Sequence, residues 1–305
     1  MHLMVLRFLQ RKILTKLDND SLKQFEKLVL TRGCELYRNL AWRNTYDPYA
    51  IWISEVMLQQ TQVKRVEGRW QRWMLQYPTV EALAKADIAD VVEEWQGMGY
   101  NRRALYLHKA ANIIASEFDE FPHDTKALES LPSIGPSTAA GIKAFAFNEH
   151  SVYLETNVRT VFLHELFPDA EEVPDKVLIP YVSQTCPADA SNPDVTPKSW
   201  YYALLDYGAY LKKIVPNPSR RSKSYNKQSK FEGSHRQKRA EVLRVMIDGR
   251  AAGECCMPLD KLHGVLNSIE VSNGRQAVRT SEFNKIIDEL VREGFIQENN
   301  GIITI

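Results

Sequence analysis

The chain has 305 residues, 44% hydrophobic and 25% charged, a globular composition on a length that suits two or three domains. This excludes a disordered chain, a collagen and a small disulfide scaffold, and no run approaches the ~18 apolar residues of a membrane span. Lys and Arg number 39 against 38 Asp and Glu, so net charge selects no partner, and only the distribution of charge is informative.

The N-terminus, MHLMVLRFLQRKILTK, is broken by Arg7, Arg11 and Lys12 and has no small-residue cleavage site, so no secretory signal is expected. Leu6, Leu9, Ile13, Leu14 and Leu17 recur at helical spacing, as do Leu22, Phe25, Leu28 and Leu30. Between the two sets, Asp18-Asn19-Asp20-Ser21 reads as a break with an N-cap. Residues 1–19 are therefore assigned to an N-terminal helical extension. From about 48 to 165 the pattern stays helical. Pro48 precedes a helix over Ile51–Val66, Thr79 one over Val80–Ala84, and Asp87 one over Val91–Trp95, followed by Arg103–Phe118. No strand alternation interrupts them.

Cys186–Pro197, with Asp189, Asp194 and three prolines, reads as a surface loop. Over 212–239, ten cations from Lys212 to Arg239 face the single acid Glu232. With Pro216, Pro218 and Gly233 this is a basic linker, assigned to 216–239. It is either a solvated hinge or a contact for a phosphate backbone, since cations gain affinity there by releasing counterions. Residues 240–305 read as a separate small domain. Helices are expected over Ala240–Ile247, Leu259–Leu266 and Ser281–Gly294, and Asn300-Gly301 marks a terminal hairpin. That order suggests a winged helix. Its seven cations against ten acids favour a packing or protein-partner surface over a DNA-reading wing.

Three segments carry chemistry. In Leu131-Pro-Ser-Ile-Gly-Pro-Ser-Thr-Ala-Ala-Gly141 a helix ends near Leu131 and another starts at Pro136. The small turn residues and the unpaired N–H groups of the new helix suit close approach to a phosphate. This is the pattern of a hairpin that grips DNA backbone without reading bases. In Trp52-Ile-Ser-Glu-Val-Met-Leu-Gln-Gln-Thr-Gln-Val63, Glu55 sits within an apolar helix, with Gln59 and Gln62 on its face. A carboxyl buried without a cation holds its proton to higher pH and becomes a donor near neutrality. In Val152-Tyr-Leu-Glu-Thr-Asn-Val158, Glu155 reads as a helix N-cap region and, beside Glu55, as a second carboxylate. Two carboxylates in different environments can divide labour, one protonating a leaving group and the other stabilising an oxocarbenium ion.

These segments, with Trp95-Gln-Gly-Met-Gly-Tyr100, resemble in order and spacing the helix-hairpin-helix DNA glycosylase superfamily, most of all its MutY-like adenine glycosylases. The likeness covers about 20–215 and extends through Ala41-Trp42-Arg43 and Asp206-Tyr207-Gly208-Ala209. It implies an all-α, bilobed glycosylase fold with the winged-helix-like α+β domain appended. It also implies base flipping on double-stranded DNA that carries a mismatch or lesion. By matching position, Glu55 is the acid, Glu155 stands for the catalytic aspartate, and Asn157 supports that carboxylate. Trp42 and Arg43 line the base pocket. Gln60, Thr61, Tyr100, Asn101, Ile134, Gly135, Ser137 and Thr138 contact DNA. Ser137 stands where bifunctional relatives keep a lysine, which implies a monofunctional enzyme.

The chain departs from the pattern at four places. The four iron–sulfur cysteines are missing, because Cys34, Cys186, Cys255 and Cys256 have no metal-ligand spacing. No cofactor and no metal are therefore expected, and the thiols fit a reducing cytoplasm, beside the nucleoid in a bacterial or archaeal cell. Glutamate replaces the catalytic aspartate. Asn101 replaces a tyrosine that stacks beside 8-oxoguanine. The segment 240–305 stands in place of a Nudix-like domain. The expectation is a monomeric, monofunctional glycosylase that removes adenine opposite guanine or 8-oxoguanine. The alternatives are excision of mispaired thymine or uracil or of another modified base, and a non-catalytic binder of damaged DNA.

Overall fold

The computed structural model describes residues 18–227 and 229–305; the periodic run Leu6–Leu17 lies outside them. As expected, the fold is helical, with one small sheet. The described residues divide into two compact units, 18–55 with Phe121–Lys227 and Val56–Glu120 with 229–305.

The first unit begins with α1 (Asn19–Glu35). Its N-cap is Asp18, whose carboxylate accepts from the Ser21 amide at 2.7 Å. After a 3₁₀ turn (Ala41–Arg43), α2 (Pro48–Leu58) carries the chain out of the unit at Glu55. The chain returns for α8 (Thr125–Ser130), α9 (Pro136–Ile142) and a π-helical turn (Lys143–Phe147). It then forms α10 (Thr156–Glu165), α11 (Asp175–Thr185) and α12 (Pro197–Ile214). α1, α10 and α12 meet through Phe25, Phe162 and Trp200. Gly33 on α1 lies so close to Ala203 on α12 that a Cβ would collide with it.

The second unit contains α3 (Val63–Val66), α4 (Arg69–Gln76), α5 (Val80–Ala84), α6 (Ile88–Glu94) and α7 (Arg102–Glu117). Its later part holds α13 (His235–Ala251), α14 (Leu259–Ser272) and α15 (Thr280–Glu293). The sheet order is β1 (Cys256–Pro258), β3 (Ile302–Thr304), β2 (Gln297–Asn299), antiparallel throughout. Asn300 (φ 52°) and Gly301 (φ 77°) form the turn that their sequence predicted. Strand β1 was not foreseen. It is too short for an alternation to register, yet it buries Met257.

Three sequence expectations change. The helix predicted over Ile51–Val66 stops at Leu58, because Gln60 takes a left-handed conformation (φ 53°) and the chain restarts at Val63. Gln59 and Gln62 therefore do not share a helical face with Glu55. The opening of the basic linker is packed and is not a solvated hinge. Pro218, Ser219 and Ser222 are buried, and Ser222 bridges Val173. The guanidinium of Arg221 donates to the carbonyls of Leu163, Phe167, Pro168 and Ala170. Finally, 240–305 does not close a core alone. Val92 and Leu105 join Val242, Met246, Leu266, Phe283, Ile287 and Ile303 in one buried cluster.

Candidate active site

Glu55 enters the first unit on α2, between the fully buried Trp52, Ile53 and Val56. It keeps only a minor part of its surface accessible. Burial pushes its carboxyl up to about 8, a hydrogen bond from Tyr153 opposes the rise, and the charge of Glu155 adds to it. No ion pair to Glu55 occurs among the described residues. The Tyr153 phenol is raised well above its ordinary value, mainly by burial and next by Glu55. Phe145 stands 5.2 Å from the Tyr153 ring and stacks at 4.6 Å on Tyr202, so three aromatic rings wall this carboxyl. A low-dielectric wall without a cation is the setting that keeps a carboxylic acid protonated.

Space for that carboxyl comes from Gly141, inside α9. A Cβ there would lie 2.5 Å from Glu55 Oε2 and 2.9 Å from Tyr153 Cε2. Ser151 ties the same helix down by donating to the Ala140 carbonyl at 2.8 Å.

Glu155 caps α10. Its Oε1 accepts from the amides of Asn157 (2.6 Å) and Val158 (3.2 Å), and Oε2 has no hydrogen-bond partner among the described residues. An N-terminal amide pair is a favourable seat for a carboxylate. Asn157 Oδ1 accepts from Lys212 Nζ at 2.7 Å. Gly208, one turn before Lys212 on α12, lies so close to the Asn157 backbone that a Cβ would overlap its carbonyl. On α10 itself, Arg159 is held by Asp175 through two bonds of 2.9 Å.

Trp42 is buried and Arg43 is committed to structure. The Arg43 guanidinium grips Asp206 at 2.7 and 2.8 Å and stacks on Tyr202 at 4.3 Å. Arg38 donates to the same carboxylate through its backbone N–H and Nε. Arg43 thus packs on Tyr202, one ring of the aromatic wall, while its charge is taken up by Asp206. At the hairpin, Ser133 is left-handed (φ 68°) and Gly135 is the N-cap of α9. Gly135 and Ser137 are exposed, whereas Ile134 and Thr138 face the interior.

In the second unit, Gln60, Thr61, Tyr100 and Asn101 gather round the buried Arg103. Its guanidinium donates to the carbonyls of Val56 (2.7 Å), Met57, Gln59, Met98 and Gly99 and to Thr61 Oγ1. It caps α2 and fixes both loops at once, and burial lowers its pKa to about 10. Asn101 is the N-cap of α7. Tyr100 is left-handed (φ 50°), a conformation that a bulky residue adopts only when its surroundings impose it. Its hydroxyl accepts from Arg236 at 3.1 Å, and Arg236 is held in turn by Ser229.

Sequence reasoning missed Tyr153, Gly141, Lys212 and Arg103 as members of these arrangements. A glycine inside an otherwise good helix was the available signal for Gly141. Lys212 was hidden in a run of surface-like cations.

The iron–sulfur cluster implied by the resemblance requires four converging thiolates. Cys34 is exposed on α1, Cys186 is buried at the end of α11, and Cys255 and Cys256 are exposed at β1. Among the described residues no three Cys, His, Asp or Glu converge as a metal site. The residues present do not fit the cluster. Where it would sit, Ser219 and Ser222 are packed and Arg221 holds the backbone. Among the described residues no helix is long and apolar enough to cross a membrane.

Residues 53–179 match the family model of the HhH-GPD superfamily base excision DNA repair proteins. An adenine DNA glycosylase of Mycolicibacterium smegmatis is 37% identical over 174 residues, which cover 56% of this chain and 58% of the relative. One from Mycobacterium tuberculosis is 41% identical over 127 residues, covering 41% and 42%. The chain thus spans about half the length of these curated relatives. A thermostable thymine-DNA glycosylase has the same fold, with a TM-score of 0.57 and 22% identity over 65% of this chain and 89% of its own. The matched segment contains both Glu55 and Glu155, so the two carboxyls lie in the part of the chain that is similar to HhH-GPD base excision DNA repair proteins and to these adenine DNA glycosylases.

Proposed function

We propose that this protein is a monofunctional DNA glycosylase that excises adenine from a mispair, opposite guanine or 8-oxoguanine. The observation that carries the reading is the pairing of a protonated Glu55, walled by Tyr153 and Tyr202, with a carboxylate, Glu155, seated on the N-terminal amides of α10. A purine leaving group needs a proton on a ring nitrogen, which Glu55 supplies. The glycosidic bond then breaks with its electron pair going to the base. Glu155 stabilises the resulting sugar cation through Oε2, the oxygen not spent on the cap. Water adds its oxygen to C1′, releases a proton and leaves an abasic site.

Acid, carboxylate and water suffice for this step, so the proposal names no cofactor. DNA is the proposed partner, met by the exposed Gly135 and Ser137 and by the loops around Gln60 and Tyr100. Trp42 and Arg43 are proposed to back the base pocket from behind the aromatic wall. Gln60 and Thr61, with Asn101 beside Tyr100, are proposed to open the stack. A monomer in the cytoplasm is proposed, and 240–305 would serve as a packing surface before it serves any protein partner.

The test is single-turnover cleavage of duplexes with A opposite 8-oxoguanine, A opposite G, T opposite G and U opposite G, with alkali to reveal abasic sites. Cutting at adenine, slowed about 10²–10³-fold in Glu155→Gln, is the expected result. Cutting only at T or U would overturn the base assignment. Tight binding without cutting of any duplex would make the chain a damage binder.

A further inference from the structure

We infer that Lys212 is a positioning residue for glycosidic cleavage, holding Asn157, and through it Glu155, in the geometry that the sugar cation requires. The inference rests on the glycosylase reading above. Lys212 stands in the last turn of α12, where a cation is favoured, and its stem is partly buried. Its ammonium donates to Asn157 Oδ1 at 2.7 Å. The backbone amide of Asn157 is one of the two that hold Glu155 Oε1. The bonds form one chain, from ammonium to carboxamide to the residue whose amide seats the carboxylate. The near-contact of Gly208 with the Asn157 backbone fixes the distance from which Lys212 reaches.

Two further observations point to a purpose beyond packing. Burial lowers the Lys212 pKa while the charge of Glu155 raises it, so ammonium and carboxylate act on one another across a poorly solvated space. Arg159, the cation on the neighbouring α10, is paired with Asp175 and makes no hydrogen bond to Asn157. A partly desolvated lysine costs free energy unless it is matched, and here the match is a residue of the proposed catalytic pair. The longer side chain of Glu155, folded back onto its own amides, has one more torsion to fix than an aspartate would have. Lys212 supplies part of that restraint.

The test compares Lys212→Met, Lys212→Gln and Lys212→Arg in the full chain, by single-turnover excision and by the Kd for the same duplex. Lys212→Met is expected to slow excision about 10- to 100-fold, because ångström-scale misplacement has that effect, with Kd changed by less than about threefold. Lys212→Gln, which keeps a donor without the charge, should fall between it and wild type, and Lys212→Arg should recover most of the rate. Asn157→Ala combined with Lys212→Met should be no slower than the slower single variant, since both break one linkage. An active wild type matched in rate by Lys212→Met overturns the inference alone. So does a borohydride-trapped protein–DNA adduct that disappears in Lys212→Met, because it would make the amine a nucleophile. A wild type that excises no base overturns the glycosylase reading and this inference with it.

Discussion

The two units treat buried glutamates in opposite ways. In the first, Glu55 is surrounded by rings and aliphatic chains with no cation to meet it, and burial pushes its carboxyl up to about 8. In the second, every comparable acid is matched. Glu289 accepts from His235 and Arg239 and is pushed down to about 2, chiefly by the His235 bond. Arg275 lowers the buried Glu270. Glu293 is shared between Arg239 and Arg102. The same side chain is thus a stored proton in one place and a structural anion in the other. The difference lies entirely in what surrounds it, and the unmatched acid is the one proposed to react.

The largest test of this contrast is Glu55→Gln. Excision should fall about 10²–10⁴-fold, the usual contribution of a general acid. Stability should move the other way. Glu55 is raised in the folded state, so its contribution is complete below the unfolded value of 4.5 and is lost as pH climbs towards about 8. Near pH 7 the variant should therefore be more stable than wild type by on the order of 2 kcal/mol, read from denaturant midpoints. Wild-type excision should also decline above about pH 8 as the proton leaves. A Glu55→Gln protein that is less stable than wild type at pH 7 would show that the carboxyl has a hidden partner.

A smaller effect is expected from Gly141→Ala. Its Cβ must displace either Glu55 Oε2 or the Tyr153 ring, and a shift of that size should slow excision about 100-fold. Unchanged kinetics would mean that the carboxyl has room to spare and that its environment is less confining than the geometry indicates.

The smallest effect sharpens the other side of the contrast. Glu289→Gln should cost about 1–2 kcal/mol at pH 7 and leave single-turnover excision untouched. Glu289 is depressed in the folded state, so its stabilisation is complete above the unfolded value of 4.5 and is lost as pH falls towards about 2. The variant and wild type should therefore converge in acid. A constant difference down to pH 2 would show that the loss was packing and not charge.

Much of this was legible from sequence because the responsible interactions are local. The Asp18 cap, Pro136 opening α9 and the Asn300-Gly301 turn depend on neighbours a few residues away. The acid in an apolar helix announced Glu55. What could not be read depends on residues far apart in the chain. The end of α2 at Leu58 is held by Arg103, whose six acceptors lie in the last turn of α2 and in two separate loops. That Arg43 is held by Asp206, 163 positions away, could not be read from the sequence around it. Lys212 and Arg221 looked like solvated charges, yet each is directed at a particular set of oxygens on or after α10.

The cluster that joins Val92 and Leu105 to Val242, Met246, Phe283 and Ile303 bears on how the chain acquires its structure during synthesis. Helices α6 and α7 emerge from the ribosome more than a hundred residues before the partners that complete their core. They must wait, partly uncovered, while the whole returning segment of the other unit is made. Contacts of such long sequence separation form late and leave apolar surface open to association in the interval. A stop codon between α12 and α13 would therefore remove every later partner of Val92 and Leu105 in that cluster. It would leave a nascent product whose second unit cannot close, and quality control would be the first to meet it.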